Sequence, residues 1–330
     1  MSAPARVPLT VVVLTFDEER NLARTLESVT GWAAQVFVVD SGSSDGTVAI
    51  ASRLGADVVT HPFESHAAQW AWALRTLPIA TDWVLALDAD QSVSSELGDE
   101  IARKLAAWTS RTSWTSCTGP DAPDGAYMAR RQIFRGRWIR HGGYYPKYLL
   151  KLFRRERVRL DETDLVDHHF HVDGPTAILA GDLIEDNRNE AQIAVWVGKH
   201  NRYAVQQAIE EERRDQRDRG SAPDPGRLLG SPDERVRWRK RLWARLPLYV
   251  RPLGYFLHRY VIRLGFLDGK EGFVFHFMQA FWYRLLVDIN RDELRQTRPT
   301  ASSAAPARLT STPRLPQTPG PPDAPENTFR

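Results

Sequence analysis

Two aspartates separated by one residue follow an apolar stretch of the chain. Trp83-Val84-Leu85-Ala86-Leu87 leads directly into Asp88-Ala89-Asp90. Because side chains alternate along a strand, Asp88 and Asp90 point the same way if the extended geometry persists through Ala89. Mg²⁺ commonly takes one or two carboxylates together with the phosphate oxygens of a substrate. The loop therefore predicts either a cation site suited to a nucleotide diphosphate or an ordinary solvated turn, where Asp is also common.

Strands and helices alternate through the residues that precede this loop. Apolar, β-branched runs predict strands at residues 10–15, 35–40, 57–60 and 83–87. Helical spacing predicts helices between them, with the acidic residues 17–19 opening the first and Asp45 or its neighbours capping the second. This alternation is typical of βαβ units, so the expected fold is α/β, with a mostly parallel sheet and helices on both faces.

Polar residues stand at the predicted ends of three of these strands. Residues 15–18 follow the first strand, residues 40–45 the second, and residues 88–90 the fourth. Ligands of open α/β sheets bind beyond the carboxyl ends of the strands, so the fold should gather these residues at one edge. The chain contains neither GxGxxG nor GxxxxGK(S/T), which disfavours a dehydrogenase or a P-loop enzyme.

Together these segments resemble the nucleotide-sugar domain of family 2 glycosyltransferases, which have the Rossmann-like GT-A fold. The resemblance is carried by Thr15-Phe16-Asp17-Glu18-Glu19, residues 38–47, Gln69 and residues 82–90, and it extends over about residues 8–290. It points to the branch that builds lipopolysaccharide core and exopolysaccharide. It implies a hexosyltransferase that moves a sugar, with inversion, from a UDP-sugar to a lipid-linked saccharide acceptor.

The same resemblance implies roles for individual residues. The residue matching Asp40 reads the uracil, those matching Thr15 and Glu18 line the nucleoside pocket, and Asp88 and Asp90 hold the donor sugar side and a Mg²⁺ or Mn²⁺ ion. Asp90 is the expected main metal ligand and Asp88 the expected ribose or sugar contact. The other expected donor contacts are Asp17, Ser41, Gly42, Asp45, Gln69, Lys199 and Arg202.

Two positions depart from the family pattern. Asp17 stands where Asn is usual, and it remains a small polar residue. Gln91 stands where Glu is common, which removes one carboxylate from the expected metal neighbourhood.

A dense group of acids and imidazoles occupies residues 161–174. An attacking hydroxyl has a pKa far above 7, so its transfer chemistry needs a general base within hydrogen-bond reach. Relatives carry a His-Glu or Asp-Glu pair in this register with Glu as the inferred base, whereas here His168 occupies the Glu position after Asp167. Either Asp167 or His168 is expected to be the base, with Asp164 ranked behind them.

Lys199 and Arg202 lie three residues apart on a helix predicted to start near Ala191, so they share one face. They are expected to neutralise a departing diphosphate, and relatives carry a similar Lys-x-Asn-Arg-Tyr run. The alternative is an exposed charged face, as in the following Glu210-Glu211-Glu212-Arg213-Arg214 run.

Residues 130–159 contain many arginines and lysines and a single acid, Glu156. This charge could meet an anionic membrane, an acceptor pyrophosphate, nucleic acid or only solvent. No zinc-finger, RNP or helix-turn-helix signature accompanies it, so nucleic acid is not expected as a partner. Within the segment, Trp138 and Tyr145 either offer flat faces for a sugar or belong to the core.

Trp, Tyr, Phe and Leu alternate with Arg between residues 235 and 287. The pattern predicts amphipathic helices, which either lie at a membrane interface or pack on the catalytic domain. No run approaches about 18 apolar residues, so no spanning helix is expected. The start of the chain lacks a signal-like segment, and its one Cys fits a reducing compartment, so the expected location is cytoplasmic, peripheral on the inner face of the cytoplasmic membrane.

The 330 residues and 42% hydrophobic content allow a large core with appended segments. The predicted divisions are a nucleotide-sugar half (1–109), a linker (110–124), an acceptor half (125–212), a charged helix end and loop (213–234), amphipathic helices (235–296) and a disordered tail (297–330). The rival to an enzyme is a non-catalytic nucleotide-fold protein recruited to membrane or polysaccharide machinery.

Overall fold

The computed structural model describes residues 6–109, 123–160, 170–220 and 247–297. The strands are β1 (Val7–Thr15), β2 (Ala33–Asp40), β3 (Asp57–Thr60), β4 (Trp83–Asp88), β5 (Gln91–Val93), β6 (Gly125–Phe134), β7 (Arg137–Ile139), β8 (Tyr148–Arg154), β9 (Val158–Leu160), β10 (Phe170–Val172) and β11 (Thr176–Glu185). The α-helices are α1 (Leu22–Glu27), α2 (Thr47–Arg53), α3 (His66–Thr76), α4 (Ser95–Thr109), α5 (Ile193–Gly220), α6 (Val250–Leu257), α7 (Gly269–His276) and α8 (Tyr283–Gln296).

Most strands belong to one sheet, in the order β3-β2-β1-β4-β8-β6-β11-β5, with β7 on β6. The four strands β3 to β4 in this order are parallel, and their register sets Thr15 beside Asp40 and Leu14 beside Asp88. Beyond β4 the sheet is mixed, because β8 runs antiparallel to both β4 and β6 while β11 runs parallel to β6. The predicted α/β fold with C-terminal helices is confirmed, and its parallel part is formed by residues 7–88.

The two faces of β1 and β4 are both buried, as their continuous apolar runs predict. Val11 and Leu85 face α1 and α4 in one hydrophobic cluster. Val12 and Val84 face the other way and pack with Trp70 of α3 in a second cluster. Burying one such side chain contributes about 1.5–3 kcal/mol, so the two clusters hold the strand ends rigidly in place.

The start of the first helix differs from the prediction. Residues 17–19 do not open it, since α1 begins at Leu22 and has no acidic residue in its first turn. Asp17 has a left-handed φ of 52° and binds the loop after β2, which prevents helical geometry there. The acids that looked like helix starters therefore shape the edge of the sheet.

The C-terminal helices pack on the second half of the sheet. Phe275 of α7 joins Phe134, Ile139 and Trp196 in a separate cluster, and α8 packs along α5. Between α5 and α8, the buried Arg291 guanidinium binds carboxylates of Glu211 and Glu212. Packing on the rest of the chain, one of the two predicted alternatives, is therefore observed for one face of these helices. In the described ranges, no helix is both long and apolar enough to cross a membrane.

Candidate active site

The first group of predicted residues surrounds the buried carboxylate of Asp40, at the end of β2. Thr15, its neighbour at the end of β1, donates a hydrogen bond to Asp40 Oδ1 at 3.0 Å. The backbone amides of Gly42 and Ser43 donate to Oδ2 at 2.9 and 2.8 Å, and the Ser43 hydroxyl donates to Oδ1 at 2.5 Å. Asp40 therefore fixes the conformation of the loop that follows β2.

Gln69 reaches the same loop from α3. Its buried amide nitrogen donates to the Ser41 hydroxyl at 3.3 Å and to the carbonyl of His61 at 3.1 Å. Its carbonyl oxygen lies 2.7 Å from His61 Nδ1. The structure thus brings together Thr15, Asp40 and Gln69, as the sequence predicted.

The loop after β1 is bound to the loop after β2. Asp17 Oδ1 accepts a hydrogen bond from the amide of Ser44 at 2.8 Å. The amide of Glu18 donates to the Thr47 hydroxyl at 2.7 Å, and the amide of Glu19 donates to Asp45 Oδ2 at 3.1 Å. Asp17 and Asp45 therefore hold the two loops together. The side chain of Glu18 belongs instead to a second group of charged residues around Asp90.

Four carboxylates from three strands share the next part of this edge. They belong to Glu18 after β1, Asp88 and Asp90 at and after β4, and Glu185 at the end of β11. Burial raises the pKa of Asp90 well above its usual range, and the charges of Glu185, Asp88 and Glu18 raise it further. Burial also raises the pKa of Glu18. A divalent cation would offset both the cost of burying the charged carboxylates and their mutual repulsion, so this electrostatic environment favours cation binding.

These carboxylates are held by Lys151, Arg130 and Gln91, of which only Gln91 was placed near the expected metal site from the sequence. Lys151, on β8, is buried and its Nζ donates to Asp88 Oδ2 at 2.9 Å. Arg130, on β6, lies 3.0 and 3.1 Å from the two Glu185 oxygens. Gln91 donates to Glu185 Oε2 at 2.9 Å and accepts from the amide of Asp88 at 3.2 Å. Glu185 therefore supplies a carboxylate next to the position where Gln91 replaces one.

The signal for Glu185 was present in the sequence. It ends an apolar strand, as Asp40 and Asp88 do, but the strand order that brings β11 near β4 is a tertiary property. Arg130 and Lys151 were visible only as members of a basic segment, and nothing in their spacing singles them out.

Lys199 reaches the carboxylates from α5. Its Nζ donates to Glu190 Oε1 at 2.5 Å and lies 5.6 Å from the Tyr203 ring centroid. Burial opposes its charge, but Glu190, Tyr203 and Asp90 outweigh this effect and raise its pKa, so it is cationic at neutral pH. Arg202 lies on the same helix and is exposed. The structure thus brings Lys199, rather than Arg202, to the carboxylate cluster.

The residues present fit a metal that relies on its substrate for further ligands. Among the described residues, no three His, Cys, Asp or Glu side chains form a ready ligand set. Mg²⁺ and similar ions bound through one or two carboxylates complete their shell with water and substrate phosphates. Asp90, with Asp88 and Glu185 beside it, offers that kind of partial site.

The predicted base candidates Asp164, Asp167 and His168 lie outside the described residues. The strands on either side, β9 and β10, pair antiparallel with Phe170 opposite Leu160. The Phe170 ring centroid lies 6.0 Å from Lys151 Nζ, which itself binds Asp88.

The predicted aromatic platform is largely engaged by protein groups. Trp138 and Tyr145 meet edge to face, with ring centroids 5.0 Å apart. The guanidinium groups of Arg131 and Arg140 lie 4.8 and 5.4 Å from the Trp138 ring centroid, and the Tyr145 hydroxyl donates to Asp182 at 3.0 Å. These contacts organise the loop between β7 and β8.

A cavity of about 300 Å³ adjoins the carboxylate cluster. It lies between the end of β6 and the segment after β11. Asn189 of this segment donates a hydrogen bond to Glu18 Oε2 at 3.0 Å. Its lining combines apolar rings with charged and amide groups. The lining includes Gln132, Phe134, Arg135, Asn187, Arg188 and Trp196.

Comparison with known proteins gives matches to glycosyltransferases over part of the chain. The sequence model of Glycosyl transferase family 2 matches residues 10–171. An uncharacterized glycosyltransferase of Rickettsia conorii is 43% identical over 93 residues, which are 28% of this chain and 32% of that protein. The lipopolysaccharide core biosynthesis glycosyltransferase LpsC of Rhizobium meliloti is 28% identical over 166 residues, covering 47% of this chain and 54% of LpsC. The chain thus spans about a third to a half of the length of these relatives.

Two solved structures match this chain with low TM-scores and low sequence identity. The glucosyl-3-phosphoglycerate synthase of Mycobacterium tuberculosis, crystallised with Mn²⁺, UDP and glucosyl-3-phosphoglycerate, has a TM-score of 0.37 at 16% identity and covers 55% of this chain and 73% of that one. Residues 1–349 of TarS from S. aureus give a TM-score of 0.34 at 13% identity, with 88% and 92% coverage.

Proposed function

We propose that this chain, which carries a glycosyl transferase family 2 domain over residues 10–171, transfers a sugar from a UDP-sugar to a lipid-linked saccharide acceptor with inversion at the anomeric carbon. The observation that carries the proposal is the convergence of four carboxylates and Lys199 beside the Asp40 loop, all at the carboxyl edge of the sheet. That edge is where α/β sheets bind nucleotides.

The donor nucleoside is proposed to lie on the loops after β1 and β2. Thr15, Asp40 and Gln69 are held together there by hydrogen bonds, and Ser41 and Gly42 provide backbone close to them. Asp40 is the proposed uracil contact. Asp17 and Asp45 accept hydrogen bonds from amides of the opposite loop and keep the two loops joined, so the pocket is formed before the donor arrives.

The diphosphate is proposed to lie between Asp90 and Lys199. A bound Mg²⁺ or Mn²⁺ would act there as a Lewis acid that stabilises the charge on the leaving diphosphate. Asp90 is the proposed main ligand, Asp88 and Glu185 its neighbours, and Lys199 the fixed cation that electrostatically stabilises the same leaving group. The exposed Arg202 is proposed as a weaker, outer contributor.

Asp167 or His168 is proposed to take the proton of the attacking hydroxyl. Support comes from Phe170, whose ring lies next to Lys151 and therefore near Asp88. Phe170 follows His168 by two residues in the chain, so both candidates adjoin in sequence a residue that lies near Asp88. The nucleophilic oxygen forms its bond as the sugar–phosphate oxygen bond breaks, and the electron pair leaves with the diphosphate.

The acceptor is proposed to enter through the 300 Å³ cavity beside the cluster. Its mixture of aromatic and charged lining suits a saccharide that carries anionic groups. The name of LpsC, which matches 47% of this chain, supports an envelope saccharide as the acceptor class. An acceptor of this kind is carried by a lipid, so the proposed location is the inner face of the cytoplasmic membrane.

The test is a screen of UDP-sugars for release of UDP, with Mn²⁺, with Mg²⁺ and with EDTA. Turnover should require the metal. It should fall by about 100-fold or more in Asp90→Asn, because this variant loses the proposed main ligand of the cation that would stabilise the leaving diphosphate. Asp99→Asn, at an exposed position on α4, is the matched control and should keep full activity. Binding of UDP without turnover of any UDP-sugar would instead support the non-catalytic alternative.

A further inference from the structure

The helical hairpin of residues 249–282 exposes an unusually large apolar surface. Along α6 and the turn that follows, Val250, Leu253, Leu257 and Val261 are spaced by three or four residues and are all exposed. Such spacing puts side chains on one face of a helix. The connection to α7 adds a second exposed apolar group. It consists of Ile262, Leu264, Phe266 and Leu267.

A third group lies on α7 and directly after its last residue, His276. Phe273 and Phe277 are exposed, lie four residues apart and are stacked with ring centroids 6.0 Å apart. Phe256 of α6 contacts both, at 6.5 and 6.0 Å, and Tyr260 contacts Phe273 at 5.6 Å. Phe256 and Tyr260 are therefore in contact with the third group, and Tyr260 also contacts Phe266 of the second group at 6.3 Å. We call the exposed apolar residues of these three groups the apolar face. Soluble monomers rarely leave a surface of this kind uncovered.

The opposite side of the hairpin is firmly attached to the catalytic domain. Asp268 accepts hydrogen bonds from the amide of His141 and pairs with its ring at 2.6 Å. Arg259 donates to the carbonyl of Gly142 at 2.9 Å, and Phe275 meets Phe134 at 5.2 Å. The hairpin therefore packs on the rest of the chain through its other side, and the apolar face is not the side that this packing buries.

Basic residues border the apolar face. Arg263 and Lys270 are exposed on the hairpin itself, and Arg140 and Lys147 are exposed on the neighbouring segment between β7 and β8. The two groups are adjacent, since a Cβ on Gly143 would lie 3.3 Å from an Arg263 guanidinium nitrogen. An apolar surface with a cationic border matches a bilayer, whose acyl chains lie below anionic headgroups.

We infer that the apolar face inserts into the surface of an anionic lipid bilayer and holds the active site above it. The inference rests on the proposed function in that a lipid-linked acceptor makes this attachment useful. A second copy of the chain fits less well, because a two-fold contact through this face would place the basic border of one copy near that of the other. Insertion needs no matching protein shape and uses both the apolar and the charged residues.

Flotation of the full chain with vesicles tests the inference. The wild-type protein should float with vesicles of phosphatidylcholine containing 30% phosphatidylglycerol, and less with phosphatidylcholine alone. Leu257→Glu/Ile262→Glu should lower the partition coefficient at least tenfold, and Ile262→Asn should lower it by a smaller factor. Ile178→Glu is the matched control, since Ile178 is 65% exposed and Ile262 is 69% exposed. Unchanged flotation of the double variant, or an equal loss in the control, overturns the inference.

Two further measurements separate other outcomes. If the face joined two copies, light scattering without lipid would show a dimer that the double variant converts to monomer, and this result would overturn the inference. UDP binding by calorimetry should be the same in the wild type and in the double variant. Lost flotation with intact UDP binding in the double variant supports insertion, whereas wild-type UDP binding without flotation refutes insertion and leaves the proposed function standing. Flotation without UDP binding or turnover refutes the proposed function alone.

Discussion

The affinity of the carboxylate cluster for a divalent cation should depend on pH, and Glu185 should set where it changes. A cation at Asp90 must displace the proton that burial and neighbouring charges favour there. Below the raised pKa of Asp90, the apparent affinity should therefore fall about tenfold for each pH unit, or about 1.4 kcal/mol. Above that pKa it should level off. The break should lie above the usual range for an aspartate.

Glu185→Gln should move this break to lower pH, because Glu185 makes the largest charge contribution to the raised pKa of Asp90. For an assumed separation of about 5–6 Å and an effective dielectric constant near 20, two unit charges repel by about 3 kcal/mol. This energy corresponds to about two pH units, which is the upper limit of the expected displacement. Above the break the variant should bind the cation more weakly than the wild type, since one attractive carboxylate is gone.

Loss of the free Mn²⁺ electron paramagnetic resonance signal, in the presence of UDP from pH 5 to 8, measures the affinity without requiring turnover. Asp99→Asn, which removes an exposed charge from α4, should give the wild-type curve. The reasoning is refuted if the affinity is independent of pH, or if Glu185→Gln leaves the break where it is in the wild type.

Three other predictions concern stability and are checked by urea unfolding. Arg291→Leu should lower the free energy of unfolding by about 3–5 kcal/mol, because it leaves the buried carboxylates of Glu211 and Glu212 without their shared partner. Arg295→Leu, at a more exposed position, should lower it by less. Gly181→Ala should lower the free energy of unfolding by about 1–3 kcal/mol, because the added Cβ would lie 2.5 Å from Leu97 Cα. Gly198→Ala should raise it by about 0.5–1 kcal/mol, because Gly198 lies in a helix and the space around its Cβ position is open. Burial lowers the pKa of His276 to about 4, so the unfolded chain binds this proton before the folded chain does as the pH falls. The free energy of unfolding should therefore drop by about 3 kcal/mol between pH 6.5 and pH 4. In His276→Leu the drop over this range should be smaller by that amount, and an identical pH dependence in the two proteins would contradict the assignment.

The parallel strands β1 to β4 could be predicted closely because their signal is local. A continuous β-branched run such as residues 10–15 is informative by itself, and β1 ends at Thr15 as expected. Residues 17–19 misled for the same reason, because acidic residues suit both a helix start and a loop. Only the hydrogen bond between Asp17 and the Ser44 amide, 27 residues away, decides between these environments.

The sequence by itself determined the α/β class, the loop of Asp88 and Asp90, and the grouping of Thr15 with Asp40, because parallel strands must end at a common edge. It also predicted amphipathic helices near the C-terminus. The tertiary structure decided which residues complete the cluster. Glu185, Arg130 and Lys151 come from strands β11, β6 and β8, whose order in the sheet depends on long-range pairing that no local pattern encodes. It likewise decided which face of the C-terminal hairpin is packed, since burial is a property of the partner surface as well as of the helix.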